Sequence, residues 1–130
     1  AAADTLGGEV LAAAETFWED LREQRLDFFA GDMPLWRLSV APASAALPLD
    51  GNWLLDWGGA QRWLRSDLPA NTIRAAAAGV GGHATLFRGG GRDARVFQPL
   101  APALLALHQR IKHSFDPAGI LNPGRMYAAL

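Results

Sequence analysis

His83 and Arg37 are the side chains in this sequence whose types best suit catalysis or the binding of an anion. His83 follows a glycine-rich turn and opens a predicted strand, where an imidazole can bind an anion or transfer a proton near neutral pH. Arg37 lies in an earlier predicted strand, and its guanidinium can hold a carboxylate through two parallel hydrogen bonds. Structural roles stay open for both, His83 as a hydrogen-bonded structural histidine and Arg37 as a cross-strand partner of Asp56.

Other kinds of catalytic site find little support in the sequence. It contains no cysteine, and its serines lack a Gly-x-Ser-x-Gly setting, so an activated nucleophile is not predicted. His83, His108 and His113 lack acidic partners at a fixed ligand spacing, so no metal site is expected. The glycine-rich runs at 79–82 and 89–91 lack the strand, loop and helix order of phosphate-binding loops, and we interpret them as turns. The chemistry is therefore expected to come from a cofactor that another domain holds.

The composition is ordinary for a globular domain and excludes few functions. The 130 residues suit a single domain, and 12 basic against 13 acidic residues create no field that would recruit nucleic acid. No apolar run reaches the length of a membrane span, so we expect a cytoplasmic protein, or one that reaches the membrane through partner subunits. Because the sequence lacks an initiator methionine, we also expect it to be part of a longer chain.

Hydrophobic periodicity and turn residues predict the elements that position these side chains. Apolar residues at steps of three and four, with Asp4 or Thr5 as the N-cap, indicate an amphipathic first helix. Gly58 and Gly59 separate two apolar runs and predict a tight hairpin. The predicted order is a helix at 5–24, a strand at 35–41, hairpin strands at 53–57 and 60–65, a helix at 69–79, a strand at 83–88 and a helix at 100–114.

The tight hairpin also predicts which side chains share a face of the sheet. It sets Asp56 opposite Gln61, so that both lie with Trp63 on one face, and we expect Arg37 to join them. The predicted fold is α+β, with a four-stranded antiparallel sheet and helices on one face, ferredoxin-like in outline. The other face, with His83 at its rim, is then predicted to be a substrate or partner surface.

The C-terminal tail carries a distinctive motif. Lys112 is followed by Phe115-Asp116-Pro117, by the apolar pair Ile120-Leu121 and by Asn122-Pro123-Gly124-Arg125. Its prolines and glycines prevent a continued helix and predict a fixed series of turns. The motif resembles the C-terminal signature of FAD-linked oxidases of the vanillyl-alcohol oxidase type.

Three sequence runs upstream of the tail restrict this resemblance to one branch of the family. They are Leu-Trp-Arg-Leu-Ser at 35–39, Asp-Trp-Gly-Gly-Ala-Gln-Arg-Trp at 56–63 and Gly-His-Ala-Thr-Leu-Phe-Arg at 82–88. They are similar to one branch of the family, the FAD-binding subunits of bacterial glycolate oxidases. The resemblance implies the C-terminal cap or substrate domain of an FAD-dependent oxidoreductase that acts on a small 2-hydroxy acid. It leaves open which acid is used.

The resemblance also implies a cofactor and partners. FAD would be bound by an N-terminal FAD-binding domain of the same protein, and this chain alone is expected to bind none. Other glycolate oxidase subunits, including an iron-sulfur subunit, would take part in the complex. Asn122 and Arg125 are expected to hydrogen-bond across to the flavin domain, while Ile120 and Leu121 pack onto the last helix.

The sequence supports one assignment of function and one alternative. We predict that His83 and Arg37 are catalytic. Contacts with the substrate or the flavin domain are predicted for Asp56, Gln61, Trp63, Asn122 and Arg125. The alternative is a free-standing ferredoxin-like module that binds a ligand or another protein and forms a homo-oligomer through its open sheet face. The tail argues against this alternative, since a free module has no evident need for it.

Overall fold

The computed structural model describes Thr5, Gly7 and residues 11–91 and 95–130. The chain divides into two compact units, Ala1–Gly31 and Asp32–Leu130. In the first unit the described residues form a helix, α1, at Ala14–Arg22 and a short 3-10 turn at Asp27–Phe29. The continuous helix predicted at 5–24 is wrong, because residues 11–13 are not helical and α1 begins after a turn at 12–13 and ends at Arg22. The predicted cap at Asp4 lies outside the described residues.

The described residues of the second unit form an α+β fold around one antiparallel sheet. Its strands follow the order β2-β3-β1-β4. The predicted fold class, with a four-stranded antiparallel sheet, is therefore confirmed. The elements are β1 at Leu35–Ser39, β2 at Asn52–Asp56, β3 at Gln61–Arg65, helix α2 at Ala70–Gly79, β4 at His83–Arg88 and helix α3 at Pro102–Phe115.

The glycine pair closes the hairpin between β2 and β3 as the sequence predicts. Gly58 and Gly59 have φ angles of 61° and 90°, a region that glycine enters without a steric penalty. The backbone amide of Trp57 is held by the Asp56 carboxylate, with N and Oδ1 2.8 Å apart. The observed register sets Asp56 opposite Gln61. The predicted pairing is thereby confirmed.

The core lies between the sheet and α2, and the sheet face that packs there is called the inner face. Strand alternation places apolar residues on it, and Ala77 of α2 is fully buried because an alanine-lined helix can approach a sheet closely. The loop at 40–51 adds two leucines to the same core. The buried cluster consists of Trp36, Leu38, Leu47, Leu49, Leu64, Ile73, Ala77, Ala84 and Leu86.

Two connections differ from a regular ferredoxin-like arrangement. The link from β1 to β2, at 40–51, contains no helix in the structure. Beyond β4, the chain returns along the strand edge, where the amide of Leu86 donates to the carbonyl of Val96 at 2.9 Å. α3 follows and has no buried residue. None of the helices in the described part of the chain is long and apolar enough to cross a membrane.

Candidate functional site

A row of polar side chains crosses the sheet on its other face, called here the outer face. Asp56 on β2 is opposite Gln61 on β3, which is opposite Ser39 on β1, which in turn is opposite His83 on β4. Directly opposed residues in antiparallel strands have Cβ atoms about 4.5–5.5 Å apart. The strand pairing therefore brings together three of the predicted site residues, Asp56, Gln61 and His83, in one continuous polar row.

Arg37 lies in the next row of the outer face, between Trp63 on β3 and Thr85 on β4. Its side chain is exposed, and its guanidinium carbon lies 5.7 Å from the centre of the Phe87 ring. This cation-π contact orients the guanidinium without occupying its N–H groups. Arg37 is thus positioned to bind an anion that approaches the outer face.

The carboxylate of Asp56 is engaged locally rather than by Arg37. Oδ1 accepts from the amide of Trp57, and Oδ2 accepts from Nε2 of Gln61 at 3.3 Å. The described residues show no ion pair between Arg37 and Asp56. The structure therefore does not support the interpretation of Arg37 as the cross-strand partner of Asp56.

Trp63 belongs to the outer face but is 6% exposed. Its ring meets the ring of Phe87 edge to face, with the centroids 5.0 Å apart. Such a pair is a packing contact that fixes both rings. Trp63 therefore supports the floor of the outer face, and its predicted contact with substrate or flavin stays a prediction.

His83 and Arg37 lie close enough together to contact two groups of one small molecule. They are diagonal neighbours, because Arg37 is opposite Thr85 and His83 lies two residues before it on the same face. Diagonal neighbours lie about 7–8 Å apart at the backbone, within reach of two long side chains that converge. A 2-hydroxy acid carries its carboxylate and hydroxyl on adjacent carbons. The geometry suits a guanidinium on the carboxylate and an exposed imidazole at the hydroxyl.

Asp116 organises the C-terminal tail, in which the sequence motif is most distinctive. Its carboxylate is buried and accepts hydrogen bonds from Nζ of Lys112, from the amide of Ile120 at 3.1 Å and from the amide of Leu121 at 2.8 Å. The hydrogen bond from Lys112, followed by the amide of Leu121, lowers the pKa of Asp116 from 3.8 to about 2. The carboxylate therefore stays ionised and holds the turn after α3.

The tail beyond this turn runs back along α3. Lys112 donates to the carbonyl of Leu121, and Gln109 donates to the carbonyl of Ala129 at 3.3 Å. Ile120 and Leu121 nevertheless remain 75% and 57% exposed. They do not pack onto the last helix in this chain, because the backbone hydrogen bonds to Asp116 and Lys112 set the turn and leave their side chains outside it.

Asn122 and Arg125 lie on this tail and not on the sheet. Asn122 adopts a φ of 46°, and its carbonyl accepts from the amide of Arg125 at 3.2 Å, which closes a turn. Both side chains are exposed. The structure thus separates the predicted site residues into an outer-face group and a tail group, and the contacts predicted for the tail group stay predictions.

Arg62 is a candidate that sequence reasoning did not single out. It occupies an inward position of β3, opposite Leu38 and Leu55, and is 5% exposed. A charged residue at an inward position of an alternating strand is the signal that could have identified it.

Among the described residues, no group of three or more histidine and acidic side chains could hold a metal ion.

Comparisons with known proteins identify two matches. Residues 65–126 match the family described as FAD linked oxidases, C-terminal domain. The whole chain is 46% identical over 130 residues to glycolate oxidase subunit GlcE of Escherichia coli (strain K12) and spans 36% of the length of that relative. No solved structure matches the chain significantly. The resemblance predicted from the motifs is confirmed.

Proposed function

We propose that this chain, whose residues 65–126 match the C-terminal domain of the FAD linked oxidases, covers the flavin and helps form the substrate site in an FAD-dependent oxidoreductase of small 2-hydroxy acids. The observation that carries the proposal is the diagonal placement of Arg37 and His83 on one exposed sheet face. Glycolate is the first substrate to test, because the relative from Escherichia coli is named for it.

FAD is proposed to be held outside this chain, in an N-terminal domain of the full-length protein. The described residues do not fit the cofactor's pyrophosphate, since the glycine-rich run at 79–82 ends α2 instead of opening a helix. Neither α2 nor α3 begins after a glycine-rich loop; Pro69 and Ala101 precede them. When bound, FAD supplies the acceptor for the hydride of the substrate.

Two side chains of this chain would act on the substrate directly. Arg37 binds the carboxylate through its exposed guanidinium and orients the molecule. His83 accepts the proton of the adjacent hydroxyl as the substrate is oxidised. Ser39 and Gln61, which lie in the polar row with His83, can hydrogen-bond to the same small molecule.

The tail group is proposed to contact the flavin-binding part of the protein, with Asn122 and Arg125 as the hydrogen-bonding side chains. Their exposure beside the exposed Ile120 and Leu121 supports this role. A multi-subunit complex that includes an iron-sulfur subunit, and a cytoplasmic location, are proposed on the likeness to the glycolate oxidase subunit alone.

The test uses the full-length flavoprotein in its complex, with Arg37→Lys and His83→Gln as variants. Arg37→Lys should lower kcat/KM for glycolate about 10- to 100-fold, since lysine cannot form the two parallel bonds. His83→Gln should lower kcat about 100-fold or more, as expected for a lost general base. Binding of oxalate, followed by the change in flavin absorbance, should weaken in Arg37→Lys and stay nearly unchanged in His83→Gln.

Arg110→Lys is the matched control, because Arg110 is an exposed arginine on α3. It should leave kcat/KM and oxalate binding at the wild-type values. If Arg37→Lys also behaves as wild type in a protein with full flavin content, the proposal is wrong.

A further inference from the structure

A concave site lies on the inner side of the sheet, away from the outer face. It is a cavity of about 530 Å³ between the loop at 42–47 and the hairpin of β2 and β3. This volume lies in the range of small-molecule sites. Its wall is mainly apolar and includes Leu47, Trp53 and Leu55, and Arg62 contributes the charged group.

Arg62 is a buried cation whose hydrogen bonds to the described residues all go to backbone carbonyls. Its Nε donates to Gly59 O at 3.0 Å, Nη1 to Ala45 O at 2.8 Å and Nη2 to Ser44 O. A guanidinium has five N–H donors, so these three bonds leave one N–H on each terminal nitrogen without a carbonyl acceptor. Either of them can donate a charge-assisted hydrogen bond to a carboxylate oxygen.

The charge of Arg62 has no acidic partner in the part of the chain that the structure describes, where the ion pairs involve other basic residues. A buried charge without a counter-ion is costly, and carbonyl dipoles offset only part of that cost. An anion at the open side of Arg62 would therefore be bound more strongly than one at an exposed arginine.

The apolar wall restricts which anion fits. Trp53 is fixed by its indole N–H, which donates to Leu49 O at 3.3 Å, so its ring is held as part of the wall. Leu55 is 65% exposed at the mouth of the cavity and would be covered by an apolar ligand. A small hydrophilic acid would leave both surfaces without a partner.

We propose that this cavity binds a small amphipathic monocarboxylate, one whose carboxylate meets Arg62 and whose aromatic or branched aliphatic body lies against Trp53 and Leu55. The site is distinct from the outer face, because Arg62 and Arg37 project from opposite faces of the sheet. Its ligand is thus a different molecule from the 2-hydroxy acid of the proposed reaction.

The test uses the full-length flavoprotein with phenylacetate as the probe and phenylacetamide as its uncharged counterpart, each followed by calorimetry. Phenylacetate should bind saturably with a Kd of about 1 mM or tighter. Phenylacetamide should bind about tenfold more weakly or worse, because it carries no negative charge to pair with the guanidinium of Arg62. Excess oxalate, the probe of the outer face, should not displace phenylacetate.

Variants locate the site without removing Arg62, whose loss would disturb folding. Ala46→Phe fills the cavity from its wall and should abolish phenylacetate binding. Ala43→Phe, in the same loop but outside the cavity wall, and Arg37→Ala, on the outer face, should preserve it. The proposal is overturned if phenylacetate does not bind, if the amide binds equally well, or if Ala46→Phe binds like wild type.

Discussion

Asp116 gives a physical reason for the tail motif at the level of single residues. One oxygen of its carboxylate accepts from the amide of Ile120, and the other accepts from the amide of Leu121 and from Lys112. An asparagine could supply only one acceptor oxygen, and its amide group would face the other donors. The lysine and the aspartate of the motif therefore act as one unit that turns the chain after α3.

This unit predicts a pH dependence of stability. The pKa of Asp116 is lowered from 3.8 to about 2, so its ionised form is favoured in the folded chain. Its stabilising contribution is fully present well above pH 3.8 and is lost as the pH falls through about 2. Tm of the wild type should thus exceed that of Asp116→Asn above pH 3.8, and the difference should shrink as the pH approaches 2. A difference in Tm that is constant over this range would contradict the prediction.

The position of a residue in the fold could be predicted where a local sequence pattern determines it. Strand alternation and the glycine turn were enough to group His83, Arg37, Asp56 and Gln61 on one face. The inward position of Arg62 is visible in the strand pattern, but its bonding partners could not be predicted, because the carbonyl of Ala45 lies 17 residues away, in a loop without periodicity. Long-range bonds to such loops leave no local signal in a sequence.

At the level of elements, the sequence predicts the bounds of each strand and helix of the second unit to within two residues. β4 has the predicted bounds, whereas α3 begins two residues later than predicted, at Pro102, because proline suits the first turn of a helix. The path after β4 was not predicted in detail. There the side-chain oxygen of Gln98 accepts a hydrogen bond from the amide of Ala84 at 2.8 Å. The backbone carbonyl of Gln98 accepts one from the hydroxyl of Tyr127 at 3.2 Å. Gln98 thus links the tail to the sheet edge.

The tail as an element can be tested with Asn122→Gly and Arg125→Ala combined. Glycine is used because Asn122 has a φ of 46°, where alanine would add about 1 kcal/mol of strain. Since both side chains are exposed, Tm of the chain should change by no more than about 2 °C. In the full-length protein, flavin retention should weaken about tenfold, the effect of one lost charge-assisted hydrogen bond.

A matched control for the tail is Gln109→Ala, which removes a hydrogen bond from α3 to the tail without changing the two exposed side chains. It should leave flavin retention unchanged. If the combined Asn122→Gly and Arg125→Ala variant instead lowers Tm by many degrees and keeps its flavin, the tail only stabilises the unit to which it belongs.

At the level of the second unit, residues 32–130, α3 presents a row of exposed apolar side chains. Trp63 is buried, so the outer face offers less apolar surface for self-association than the sequence suggested. α3 instead exposes a continuous stripe at helical spacing. Its members are Leu104, Leu107, Ile111 and Phe115, with exposures of 43%, 46%, 49% and 83%. Stripes of this kind normally face a partner.

This stripe predicts that the isolated chain of 130 residues associates with a second copy through α3. Replacing Leu107 and Ile111 with serine removes the two central apolar side chains and should weaken dimerisation about 100-fold, the effect of about 3 kcal/mol of lost burial. Sedimentation velocity over a range of concentrations measures the change. Arg110→Ser, on the same helix but outside the stripe, should associate like wild type. A wild-type chain that stays monomeric at high concentration, or a double variant that dimerises as tightly as wild type, would show that α3 is not the surface responsible.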